Sequence, residues 1–88
     1  MKVVILYRPK SEHGTKVESF VRDVKMRYPT AKIELNNVDS REGMAMSSIY
    51  DIMRYPAILA LAGDGAMLQM WEGDQLPLMN DVAYYLVG

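Results

Sequence analysis

Residues 54–73 read RYPAILALAGDGAMLQMWEG, and the reading of this stretch decides the architecture. Two mostly apolar runs, Ala57–Ala62 and Ala66–Trp71, flank Gly63-Asp64-Gly65. Such runs around a short glycine-containing turn are the pattern of two antiparallel strands. Pro56 opens the first of them, where a missing N–H is tolerated. Upstream the chain reads strand, helix, strand, helix; downstream it reads as one closing helix.

Working outward, Val3–Tyr7 is a short apolar run, as expected of a strand covered on both faces. A polar loop, Arg8–Gly14, carries two breakers, Pro9 and Gly14. Thr15 and Glu18 have the spacing of a capping box, which predicts a helix starting at Thr15. Its buried face is Val17, Phe20, Val21, Val24 and Tyr28, and Pro29 stops it. A start at Ser11 is the alternative, weakened by Gly14 in the first turn. Residues 31–38 alternate Ile33 and Leu35 with Lys32 and Glu34, the pattern of an edge strand with one wet side. Asp39 and Glu42 form a second capping box, and Ala45, Ser48, Ile49, Ile52 and Met53 share one face of the helix behind it. That helix ends at Arg54-Tyr55-Pro56. After Gly73-Asp74, Pro77 opens a last helix with Leu78, Val82, Tyr85 and Leu86 as its buried face.

The 88 residues suit one domain, 1–88, with one modest core. Hydrophobic residues make up 50% and charged residues 24%, ordinary for a globular chain rather than a disordered one. Net charge is −1 and no cluster of Lys or Arg stands out, so no nucleic-acid or membrane partner is expected. The apolar start after Lys2 is too short for a signal peptide, and a cytoplasmic location is the expectation. Cysteine is absent, which excludes disulfides, thiol redox chemistry and Cys-ligated metal. His13 is the only histidine, so a histidine-rich metal site is excluded too, and no cofactor is expected.

The order of elements, a proline opening the third strand, a Gly-x-Gly turn and Gly73 after the fourth strand together resemble the thioredoxin/glutaredoxin superfamily over essentially the whole chain. The resemblance implies an α/β, thioredoxin-like fold: a four-stranded mixed sheet with helices on both faces. The first two strands are then parallel through a right-handed crossover. It also implies a cis peptide bond at Tyr55-Pro56, facing the loop that starts the first helix, with the backbone of Tyr55 contacting bound peptide or glutathione. Helix phase puts Ser11 and Gly14 on the positions where the family carries Cys-x-x-Cys; counting from Tyr7 puts Glu12 and Thr15 there instead. Neither frame contains a thiol, so thiol-disulfide oxidoreductase activity is excluded.

Two functional readings remain. The first is a cysteine-free binding module for a protein or peptide, with Ser11, Glu12, His13, Gly14, Thr15, Tyr55 and Pro56 as its contact surface. The second is a glutathione or small-thiol binding domain in which Tyr7 or Ser11 assists, as the tyrosine after the first strand does in some glutathione transferases. Arg8, Lys10 and His13 beside a helix start also suit an anion, although solvated loop charges account for them more simply. His13 reads as an exposed loop side chain. Met44, Met46, Met53, Met67, Met70 and Met79 lie at no ligand-like spacing and read mostly as core filler. The fourth strand, with Trp71 and Tyr55 nearby, is expected to form an apolar patch whose free edge suits strand addition or a homodimer.

Overall fold

The computed structural model describes residues 1–86. Its elements are β1 (Lys2–Tyr7), α1 (Glu12–Arg27), β2 (Ile33–Asn37), α2 (Arg41–Ile49), β3 (Ala57–Leu61), β4 (Met67–Glu72) and α3 (Met79–Ala83). One four-stranded sheet has the order β2-β1-β3-β4. β1 and β2 are parallel, with Val3 opposite Ile33. β1 and β3 are antiparallel, with Ile5 opposite Ile58, and β4 runs antiparallel to β3 with Trp71 opposite Ile58.

Side-chain alternation along β1 and β3 builds two cores, one on each face of the sheet. Val3, Ile5, Tyr7 and Ile58 meet Val17 and Val21 of α1 and Val82 of α3. Val4, Leu6, Ala57, Leu59 and Leu61 face the other way, with Val38, Ile52, Met46 and Tyr50. The mixed sheet with helices on both faces is therefore present, α1 and α3 covering one face and α2 the other. At the hairpin, Ala62 N–H reaches Ala66 O at 2.8 Å and Gly65 N–H reaches Ala62 O at 3.0 Å, closing the turn.

Several local expectations are corrected. α1 starts at Glu12 with Ser11 as N-cap, not at Thr15. α2 is capped by Ser40, whose hydroxyl accepts from Gly43 N–H at 3.0 Å, not by Asp39. Its inward face is Gly43, Met46, Ser47 and Tyr50, whereas Ile49 and Met53 are 72% and 76% exposed. The small face is forced: a Cβ on Gly43 would stand 2.0 Å from Asn37 O, so α2 and the end of β2 touch backbone to backbone. Leu35 is exposed on β2 and Leu78 precedes α3 in solvent, while Val82 and Ala83 are buried. Of the methionines, Met46 and Met70 pack against the core, but Met44, Met53 and Met67 are exposed.

The β4 edge is not the clean patch expected of it. Trp71 packs on the α1/α3 side, edge-on to Tyr85 with ring centroids 5.8 Å apart, while Tyr55 packs on the α2 side. Pairing jumps from Ala60–Gln69 to Leu61–Met67, leaving Leu68 as an extra residue. Gln69 Oε1 accepts from Met70 N–H at 2.9 Å, so a side chain already occupies part of the free edge. Bulges and covered edge groups both oppose intermolecular pairing.

The contact at Gly43 yields a direct test. Gly43→Ala is expected to destabilise the fold by about 1–3 kcal/mol, because backbone must move to admit the methyl group. Gly63→Ala, with nothing within 4 Å of its Cβ position, is expected to be neutral or slightly stabilising. Urea unfolding of the two variants beside the parent checks both signs.

Candidate functional site

The loop leaving β1 is folded onto its own first residue. Ser11 offers both its N–H (3.1 Å) and its hydroxyl (2.6 Å) to Arg8 O. Arg8 N–H in turn donates to His13 Nε2 at 2.9 Å. A nitrogen that accepts carries no proton, so the ring's hydrogen sits on Nδ1. His13 is therefore a half-buried loop tie rather than an exposed side chain. The Arg8 guanidinium leaves the loop and grips Asp39 through Nε (2.9 Å) and Nη2 (3.1 Å). That hydrogen-bonded pairing holds the Asp39 carboxyl below its ordinary value and raises Arg8 above its own. With Arg8 paired and His13 Nε2 occupied, the anion reading of this loop loses two of its three groups.

A second loop, ahead of β3, faces the first. Glu72 at the end of β4 accepts the N–H groups of both Met53 and Arg54 through one oxygen, Oε2, at 3.2 Å each. Tyr55 OH donates to Ser47 Oγ at 2.8 Å, and Ser47 Oγ donates to Gly43 O at 2.9 Å, which fixes the phenol against α2. The Tyr55–Pro56 bond is cis. Pro56 is buried, and its carbonyl accepts from Gly73 N–H at 3.0 Å. Among the described residues, neither the N–H nor the C=O of Tyr55 has a hydrogen-bond partner.

Between the two loops lies an open cleft of about 410 Å³. Arg8, Ser11, Glu12 and His13 line it from one loop, Met53, Arg54 and Tyr55 from the other, and Asp74 lines it as well. The cleft thus gathers Ser11, Glu12, His13 and Tyr55 from the residues singled out in the sequence. Pro56 lies buried at the start of β3, Gly14 is buried in α1, and Thr15 lines a neighbouring groove instead. Met53, Arg54 and Asp74 were missed, although Arg54 adjoins Tyr55 and Asp74 adjoins Gly73, which the resemblance did mark.

The hydroxyl and imidazole at the cleft are engaged within their own loop. A Cβ on Gly14 would stand 2.2 Å from Pro9 O, so the loop excludes any side chain at that position. Ser11 has no base: the imidazole nitrogen nearest the loop is already accepting from backbone. No group of three or more His, Cys, Asp or Glu side chains that could hold a metal ion occurs among the described residues. Tyr7 lines the α1/α3 core rather than the cleft and donates to Glu18 Oε2 at 3.1 Å. Burial, and then the Glu18 carboxylate, push its phenol above the ordinary value of 10.0, opposite to what activation of a thiol requires.

Solved structures carry this fold. Mitochondrial thioredoxin 3 from Saccharomyces cerevisiae, in its oxidized form, matches with a TM-score of 0.69 at 14% identity, over 96% of this chain and 74% of that one. A thioredoxin-like protein from Clostridium perfringens gives 0.77 at 12% identity, over 97% of this chain and 67% of its own. Thioredoxin 1 from Thermosipho africanus gives 0.68 at 12%, over 97% and 89%. At such identities the likeness concerns the fold: it is thioredoxin-like, in a chain with no cysteine. No family model and no curated protein matches the sequence.

Two outcomes are expected of the site residues. Ser11→Cys with Gly14→Cys lowers the denaturation midpoint, while Ser11→Cys alone is tolerated; thermal unfolding and thiol counting separate the two. Tyr7 ionises above 10.0 in an ultraviolet titration, and Glu18→Gln brings it only part of the way down, because burial is the larger cause. Its folded value being the higher, Tyr7 stabilises the fold fully below the unfolded value and loses that contribution as pH rises through the folded one.

Proposed function

We propose that this thioredoxin-like domain, lacking thiol chemistry, binds an extended segment of another protein, laid across the cleft between the start of α1 and Tyr55-Pro56. The observation that carries this reading is the main chain of Tyr55. Its N–H and C=O are unpaired among the described residues, while its side chain and both flanking stretches are held by Ser47, Glu72 and Gly73. A rigid stretch of backbone with open hydrogen-bonding groups accepts another extended chain by strand-type pairing. Charges of both signs around it, Arg54 against Glu12 and Asp74, suit a polar main chain better than one apolar metabolite. Pairing of two copies along β4 is no part of the reading, since Leu68 and Gln69 disturb that edge. Nothing in it needs an oxidising compartment, which agrees with a cytoplasmic setting.

The test uses linear peptides selected from a random dodecapeptide library, titrated into the isotope-labelled domain. The largest amide shifts are expected at Ser11–His13 and Arg54–Tyr55. Glu72→Ala, which frees the loop ahead of β3, is expected to weaken binding about tenfold, roughly 1.4 kcal/mol, through lost preorganisation. Shifts confined to another surface, or a library that yields no binder, would overturn the proposal. Reduced glutathione moving the same amides, with affinity lost in Ser11→Ala, would replace the peptide by a small thiol.

A further inference from the structure

Beside the cleft lies a second depression of about 560 Å³, between the outer side of α1 and the segment following β4. Phe20 and Leu76 give it an apolar floor, and both pack against the buried cluster that contains Val17, Val21 and Val82. The floor is thus part of the core's outer layer, not a loose loop. Lys16, Asp23 and Asp74 line the same depression. The ion pairs among the described residues are Lys2–Glu34 and Arg8–Asp39, so these three charges have no ion-pair partner there. Asp74 lines both depressions, so a chain leaving the cleft past Asp74 enters the groove directly.

We infer that the two depressions form one site, and that the segment it binds carries a large aliphatic or aromatic residue next to a lysine or arginine, the apolar side chain seated on Phe20 and Leu76. This rests on the peptide reading of the cleft. The apolar floor selects the first residue: burying a side chain of leucine size contributes about 1.5–3 kcal/mol. The rim selects the second. Two carboxylates against one ammonium favour a cation, and one of them, Asp74, lines both depressions.

The experiment takes the dodecapeptides selected on the parent domain and replaces their residues one at a time with alanine. One apolar position is expected to cost about tenfold or more in affinity. Its loss removes the amide shifts of Lys16, Phe20 and Leu76 while leaving those of Tyr55. Leu76→Gln produces the same affinity loss for the parent peptide and none for the alanine peptide. Because the peptide series needs no protein variant, instability of Leu76→Gln leaves the test intact. Peptides that move Tyr55 but not Phe20 or Leu76, and show no apolar position of this kind, overturn the inference and leave the peptide reading standing. Failure to perturb Tyr55 at all overturns both.

Discussion

Val3 to Leu6 and Ala57 to Leu61 are all within 2% of complete burial, so the β1–β3 pair must be covered on both faces. This constraint governs the rest of the molecule. A slip of one residue in the pairing would turn β3 over relative to β1, sending Ile58 toward α2 and Leu59 toward α1 while Ile5 and Leu6 stay in place. The register is therefore over-determined, and it also places the site. Leu6 lies opposite Ala57, and Ala57 opposite Glu72. The chain just after β1, just before β3 and just after β4 consequently leaves the sheet at the same end. Arg8, Tyr55 and Asp74 come together there because strand pairing leaves them nowhere else to go.

What was legible in the sequence is what large apolar side chains report. The runs of β1 and β3, the hairpin and the Val17–Val21–Val24 stripe of α1 all read correctly, since each buries bulk at a regular period. α2 was misread for the opposite reason. It lies so close to Asn37, the last residue of β2, that only Gly43 fits at the contact, and the large apolar Ile49 and Met53 are left outside. Both helix starts were misplaced through the same device. Ser11-Glu12-His13-Gly14 and Ser40-Arg41-Glu42-Gly43 share a pattern: each serine hydroxyl donates to the carbonyl three residues back, and each glycine is pressed against a backbone carbonyl. Glycine in a first turn weakens an isolated helix. Here a close approach of backbone to backbone requires it.

The site was legible only as far as a local pattern or a family likeness reaches. Ser11, Glu12, His13 and Tyr55 belong to that part. The groups that give the cleft its shape do not. Asp39 looked like a helix cap because its partner, Arg8, lies 31 residues away in sequence. Glu72 lies just past the apolar run Ala66–Trp71 and drew no reading, yet its carboxylate orders the two residues ahead of Tyr55. Each depends on a pairing that exists only once the sheet has formed.

The absence of a thiol changes what such a site must supply. A thiol captures its partner covalently, so its cleft needs only to orient the encounter. Without one, non-covalent contacts must cover the 4–15 kcal/mol or so that association costs in lost freedom. Hydrogen bonds to the main chain of Tyr55 contribute on the order of 1 kcal/mol each, which is too little alone. Two features of the molecule offset this. Glu72, Ser47 and Gly73 hold the receiving backbone in place beforehand, so binding need not order it. Phe20 on α1 and Leu76, two residues past Asp74, add apolar area beside the cleft. On the proposed reading, a thioredoxin-like frame without cysteine holds its partner only when cleft and groove act together.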